Sequence, residues 1–359
     1  MDIRVYTLEE LESHIQSTHS NPVTPLSPLR LNSYLRNPRA EETDPVLFEL
    51  WLNEKLIAYR TLLPDLFYDR QGNSWRFAWL SGNWVDPEFR RQGLSTKLLQ
   101  HAEASWEGRL MYTNYAPTSK AVYDRTGQFP LLAKLDGRRF YLRAAAEDLL
   151  GDRLRARDLL RIGDKTVNLF RERRLLKFKP VDDQGCRVER VSTLDHDLED
   201  LIVQAQDQSL FRRTPEVFKW VLNQPWLTED KGALPNYHFS YQANRFENML
   251  FKFTLPDQSI GLLWLLIHNR SMSAPYVFCE SDQIYPHMAR TLTHQMIAGN
   301  CAHTTMRNTQ LVEQLMTHKN WFLTIRPMPQ LIFAHRSMTG QVPKNMKIQD
   351  GDGDVVFTG

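Results

Sequence analysis

Val85-Asp86-Pro87-Glu88-Phe89-Arg90-Arg91-Gln92-Gly93-Leu94-Ser95-Thr96 is the stretch on which the reading of this chain turns. Upstream, Trp75 to Val85 is rich in aromatic residues and reads as a strand, which proline's fixed φ and missing N–H should end at Asp86-Pro87. Downstream, Leu94, Leu98, Ala102 and Trp106 recur every four positions, with Leu99 broadening the stripe. That spacing predicts an amphipathic helix from Arg90 to Trp106 with Gly93 in its first turn. A helix that opens directly after a strand offers free N–H groups and the positive end of a dipole to an anion. Gly93 lets the backbone come close, Ser95 and Thr96 add hydroxyl donors, and Arg90 or Arg91 can screen phosphate charge. The pattern is neither Gly-x-Gly-x-x-Gly nor a Walker sequence, so dinucleotide and nucleoside triphosphate readings lose support.

Working outward, Val46 to Leu52 and Leu56 to Tyr59 predict two strands joined at Asn53-Glu54-Lys55. Arg109 to Tyr115 predicts a further strand, leading to Pro117-Thr118-Ser119 and a short helix stopped by Gly127. Phe129 to Leu142 reads as a closing strand or hairpin with its turn near Asp136-Gly137. The result is a mixed α/β layer with one βαβ crossover. From Val188 the same order of elements returns once. Thr214-Pro215-Glu216 starts a helix, and Ile284, Met288, Leu292 and Met296 mark the counterpart of the Leu94 helix. Between the halves, residues 151–180 hold ten Lys or Arg against four acids, read as connecting helices with a solvated basic face, a nucleic-acid or phosphate surface being the alternative.

The chain has 359 residues, enough for two domains, and its 42% hydrophobic composition gives ample material for cores. The formal charge is only +2, so no global field recruits nucleic acid or membrane. Cys186, Cys279 and Cys301 form neither a disulfide framework nor a paired zinc set, and a reducing cytoplasm fits best. No secretory signal is expected at Met1 to Ser20, and the most apolar run, Ile260 to Ile267, is too short to span a bilayer. His287, His294 and His303 lack a spacing that would gather three ligands, so no metal is expected. Phe211, Phe218, Trp220 and Trp226 read as core or interdomain packing, or as a substrate-binding wall.

The residues from Val85 to Ser95 resemble the acetyl-coenzyme A signature of the GNAT superfamily, the general N-acetyltransferases, in which Arg/Gln-x-x-Gly-x-Gly/Ala follows the fourth strand. A second motif of that family is matched in register by Asn114, Ser119, Tyr123, Gly127 and Phe129. Ser95 stands where Gly or Ala is usual, and Gln128 is inserted between a Gly and Phe that normally adjoin. The resemblance covers residues 1–143, and the remainder by element order alone. It implies a GNAT-like fold in two tandem copies: an acetyltransferase domain at 1–145, basic connecting helices at 146–184, a second non-catalytic copy at 185–340 and a loose tail at 341–359.

The resemblance also implies a site. The pantetheine arm would lie between splayed strands four and five, paired to the backbone of Trp84 and Val85. The pyrophosphate would sit on Arg90, Arg91, Gln92, Gly93, Leu94, Ser95 and Thr96, with Asn114 and Ser119 nearby. Tyr123 matches the family's usual acid; the alternative is a tyrosine packed on the sheet with its hydroxyl in solvent. Asn114 equally reads as satisfying a strand-end backbone group. Asp86 and Glu88 are better explained by the helix dipole than as a base, and no residue is assigned as the base, a role that water can fill. The implied activity is transfer of an acetyl group from acetyl-CoA to an amine of a small molecule or peptide. The rival is an acyl-CoA-binding regulatory protein without turnover. The second copy, entered through Glu280-Ser281-Asp282 with no glycine, would shape the acceptor pocket or hold a homodimer together.

Overall fold

The computed structural model describes residues 1–18, 22–113, 116–147, 157–178, 185–230, 232, 234, 236–343 and 345–358. The amino-terminal half runs β1 (Asp2–Thr7), α1 (Leu8–Ser17), α2 (Pro28–Leu35), β2 (Pro45–Leu52), β3 (Lys55–Tyr68), β4 (Ser74–Val85), α3 (Leu94–Ser105), β5 (Leu110–Tyr112), α4 (Pro117–Thr126), β6 (Leu131–Leu135) and β7 (Arg138–Tyr141). After α5 (Arg157–Leu175) the list repeats: β8 (Arg187–Val191), α6 (His196–Gln204), α7 (Pro215–Asn223), β9 (Phe246–Thr254), β10 (Ile260–His268), β11 (Ser271–Cys279), α8 (Tyr285–Ala298), β12 (His303–Met306), α9 (Thr309–Thr317), β13 (Thr324–Pro327) and β14 (Gln330–Ala334). The two halves are the expected pair of mixed α/β layers.

Local chemistry sets the element ends. The β2–β3 hairpin turns at Asn53 and Glu54, with φ of 48° and 63°, the primed geometry that matches strand twist. Asp86 ends β4 by capping a short turn at Pro87–Phe89, accepting from the Glu88 amide at 2.9 Å. The helix begins at Leu94 rather than Arg90, because Gly93 adopts φ 78° as its N-cap and leaves Arg90–Gln92 in the loop. Gly127, at φ 63°, stops α4, and Thr214 accepts from Val217 to start α7.

The expected hairpin within Phe129–Leu142 does not form. One seven-stranded sheet has the order β1-β2-β3-β4-β5-β14-β6 and the other β13-β7-β12-β11-β10-β9-β8. β6 and β7 therefore belong to different sheets, and so do β13 and β14. Their pairings, Tyr141 with Thr324 and Leu135 with Gln330, share one register, and the Met328 amide donates to the Gly137 carbonyl at 2.8 Å between them. The segments around 131–141 and 324–334 form one antiparallel ribbon that crosses from sheet to sheet. Each half thus completes its partner's sheet with its own last strand, and a boundary at 145 does not separate two closed units.

The tail is not loose. Gln349 pairs its side-chain amide with the Val277 N–H and C=O, both at 3.1 Å, and the Gly351 amide donates to the Pro275 carbonyl at 2.8 Å. Gly351, Asp352 and Gly353 are buried, and Phe357 stacks on Trp226 with ring centroids 4.7 Å apart. Its polar sequence suggested solvent, yet its carboxylates are matched by buried arginines: Arg213 Nε lies 3.2 Å from Asp352 and its Nη1 2.8 Å from Asp65. The aromatic cluster belongs to the core that joins the halves. Phe211 packs on Trp79, Phe218 on Trp264 and Tyr276, and Trp220 on Phe357. A second core fills the space between the first sheet and α3 and α4.

Candidate active site

β4 and β5 run parallel and pair only at Ala78 with Leu110 and Trp79 with Met111. Beyond that point β5 ends while β4 continues to Val85, so a gap opens on one side of the strand. At its start the register of β4 against β3 slips between Leu80 and Gly82, leaving Ser81 as a bulge. Trp84 is buried and Val85 half-buried along this edge.

At the far end of the gap, α3 presents its first turn. Gly93 has nothing within 4 Å of where a Cβ would stand, and no side chain caps the helix. The first-turn amides are therefore open to an incoming anion. Arg91 and Gln92 are exposed and Ser95 and Thr96 half-buried, while Arg90 Nε folds back to donate to the Val85 carbonyl at 3.2 Å. Leu94 packs inward as the first core residue of α3. Asp86 and Glu88 are both tied to Lys55, at 2.9 and 3.1 Å. Burial would raise the Asp86 carboxyl, but Lys55 and the Glu88 amide hold it below the usual range. Among the described residues, both carboxylates beside this turn are thus engaged by Lys55 and not turned toward a diphosphate. The donor set and the open turn fit a diphosphate.

Tyr123, on α4, is buried against Tyr112 and Phe129, with centroids 4.3 and 5.6 Å away. Its hydroxyl is not in solvent: Arg60 Nη1 donates to it at 3.1 Å. The same guanidinium reaches Asn83 Oδ1 at 3.2 Å and Ser95 Oγ at 3.4 Å, and Ser95 donates to Asn83 at 3.0 Å. Arg60 is fully buried, and among the described residues no carboxylate lies within ion-pair distance of it. It connects the loop at Ser95 with the tyrosine at 123, which are distant in sequence. Sequence reasoning missed it; the available signal was a lone cation inside the apolar strand Leu56 to Leu63. Ser119 is half-buried in the first turn of α4, and Asn114 lies outside the described residues.

The opposite face of the sheet carries a second network. Arg30, on α2, is buried and donates to Thr61 Oγ1 and Ser81 Oγ, both at 2.9 Å, and to the Tyr34 and Tyr237 hydroxyls at 3.3 and 3.5 Å. Ser81 in turn donates to Asp354 Oδ2 at 2.5 Å. The tail thus spans the mouth of the gap. Gly353, at φ 107°, passes so close to Thr113 after β5 that a Cβ would stand 2.9 Å from its methyl group, and Asp354 reaches the bulge of β4. Burial pushes the Asp354 carboxyl up against the opposing pull of Ser81 and Arg30. Beside this network, α1, α2 and residues Leu234, Asn236 and Tyr237 line a half-open, largely apolar pocket of about 590 Å³.

The counterpart gap in the second half, between β11 and β12, is filled differently. There the strands pair from Ser271 with His303 to Ser273 with Thr305, and the tail residues Gln349 to Gly351 lie along β11 beyond. The loop before α8 is capped by Ser281 on Gln283 and offers no open glycine turn. His287 and His294 lie on α8 and His303 starts β12.

Residues 8–127 match the family model described as acetyltransferase (GNAT) family. No curated protein sequence matches the chain. Among solved structures, a probable N-acyltransferase from Enterococcus faecalis V583 superimposes with a TM-score of 0.53 at 10% identity, over 92% of this chain and 72% of that one. N-myristoyltransferase of Saccharomyces cerevisiae with bound myristoyl-CoA gives 0.49 at 12% identity, over 92% and 82%. The first of these shares the fold across both halves, in agreement with two tandem GNAT-like copies. With its open glycine turn and splayed strands, the segment from residue 8 to residue 127 has the features expected of the acetyltransferase (GNAT) family whose model it matches, and the chain as a whole has the fold of two tandem GNAT-like copies.

Proposed function

We propose that this protein is an acetyltransferase that moves an acetyl group from acetyl-CoA to a primary amine by direct attack, with the amino-terminal half carrying the reaction. One observation carries the reading: the open turn at Gly93 leads to a gap flanked by a buried tyrosine hydroxyl on one face and a desolvated carboxylate on the other. Acetyl-CoA supplies a thioester carbonyl and a thiolate leaving group. Arg90 to Thr96 would hold its diphosphate, with Ser119 and Asn114 beside it, and the Trp84–Val85 backbone would pair with its pantetheine amides. A β4 N–H would stabilise the oxyanion.

Two proton transfers remain. The amine arrives from the α1/α2 face, where the 590 Å³ pocket suits an acceptor with an apolar part, and Asp354 takes its proton. Tyr123 protonates the departing thiolate while Arg60 holds the phenol oxygen. Arg30 is the charged group that faces Asp354, joined by the hydroxyls of Ser81, Tyr34 and Tyr237.

Thiol release from acetyl-CoA against a panel of amines tests the reading. Tyr123→Phe should lower kcat by about 10²-fold with coenzyme A affinity unchanged. Asp354→Asn should lower kcat/KM by a similar factor and remove the acid limb of its pH profile. Tight coenzyme A binding with no thiol release for any amine would instead establish a binding protein without turnover. Full activity in Asp354→Asn would return the base role to water.

A further inference from the structure

The helix α5 is built inside out. Its inward face is polar apart from Leu175, which enters the core: Asp164 accepts from the Glu147 amide at 2.8 Å, Asn168 pairs with the Ala144 N–H and C=O at 2.8 and 3.0 Å, and Arg171 donates to the Leu142 carbonyl at 2.9 Å. Its outward face is apolar. Leu159, Ile162, Leu169, Phe170 and Leu176 are 72, 59, 62, 67 and 83% exposed, and at 3.6 residues per turn they share an arc of about 120°. A soluble helix normally shows the reverse arrangement, and an exposed apolar arc of this size marks an interaction surface.

The charges around the arc select the partner. Arg157, Arg161, Lys165, Arg173, Arg174 and Lys177 are exposed, whereas Asp158 is the one exposed carboxylate of this helix, and it is held by Arg161 at 2.7 Å. Glu172, half-buried, is taken by Arg143 at 2.5 Å. Two copies of this helix laid face to face would set cations against cations in either direction. A convex ridge of leucines, an isoleucine and a phenylalanine, with Lys165 at its edge and Arg173 and Lys177 within it toward the carboxyl end, instead matches a surface that is apolar beneath and anionic above, where long cationic side chains reach back to the headgroups.

We propose that α5 docks the protein on an anionic lipid bilayer, lying in the plane of the interface with Leu159, Ile162, Leu169, Phe170 and Leu176 among the acyl chains and Lys165, Arg173 and Lys177 at the headgroups. The net charge of +2 conceals this local excess. No helix among the described residues is long and apolar enough to cross a membrane, so the association is peripheral and reversible. It is independent of the acyl-transfer reading.

Co-sedimentation of the full chain with phosphatidylglycerol vesicles, and with phosphatidylcholine vesicles as the neutral comparison, provides the test. The wild type should bind the anionic vesicles and be released by salt, and Leu169→Asp/Phe170→Asp should weaken binding roughly tenfold or more. Lys165→Glu/Lys177→Glu should weaken it comparably while leaving all five apolar residues in place. Absence of binding to anionic vesicles overturns the proposal, as does binding that neither double variant alters. A wild-type dimer that Leu169→Asp/Phe170→Asp converts to monomer by sedimentation velocity also overturns it, in favour of a second copy of the chain.

Discussion

Gly93 stands at φ 78° with open space where a Cβ would go, so a side chain there meets backbone strain rather than a clash. The left-handed region costs an L residue roughly 1–2 kcal/mol, and the turn would relax toward an extended form that withdraws its amides. Gly93→Ala should therefore raise the coenzyme A Kd about five- to thirtyfold by calorimetry; an unchanged Kd would mean that the amides of this turn do not grip the ligand. Gly93 was legible because its spacing from the preceding strand and the following stripe is itself the signal. Arg60 was not. One arginine in an apolar strand announces burial only when its partners are known, and Tyr123 and Ser95 lie 63 and 35 residues away. Asp354 was hidden for a related reason. Glycine and aspartate read as solvated tail, and only the buried Arg30 and Arg213 on other elements reverse that reading.

Among the elements, those with strong periodicity, α3 and α8 above all, lie over the apolar stripes that predict them, although α3 starts at Leu94 and not at Arg90. Which strands pair with which was invisible, since β6 and β7 carry no mark of belonging to different sheets. β12 illustrates how such an element ties pH to stability. His303 begins it with Nδ1 buried and unpartnered, facing Tyr141 with Arg139 and Arg270 nearby. Burial, followed by those two arginines, pushes its pKa down to about 4 from 6.5. The folded state then binds fewer protons than the unfolded one between those values, so this group's contribution is present above pH 6.5 and lost as the pH falls toward 4. The linked loss is about 3 kcal/mol. Chemical denaturation at pH 7 and pH 4.5 should show a smaller difference for His303→Asn than for the wild type. Equal pH slopes in the two proteins would show that His303 is protonated without cost.

At the scale of the whole molecule, the two halves share one ribbon and one tail. Residues 1–145 made alone would leave β5 and β6 without β14 between them and expose the edges of both. They would also lack Asp354 and Phe357. Such a fragment should give the poorly dispersed amide spectrum of an incompletely packed chain, and adding a separately made 146–359 fragment should restore dispersion as strands are exchanged. A well-dispersed spectrum from the fragment alone would mean that β7 can fold back to fill the place of β14. Truncation after residue 348 tests the tail separately. It opens the β11–β12 gap and removes Asp352, one of the two carboxylates paired with Arg213, so it should lower Tm by several degrees, in line with the loss of a buried charge partner.

The crossing ribbon also sets the order of events during synthesis. When residue 145 leaves the ribosome, the first sheet still has a vacancy that is filled only by β14, nearly two hundred residues later in the chain. The amino-terminal half therefore matures only after β14 has been made. A nascent chain that stalls or is cut short before β14 is left as an unfinished half with unpaired strand edges, suited to capture by chaperones.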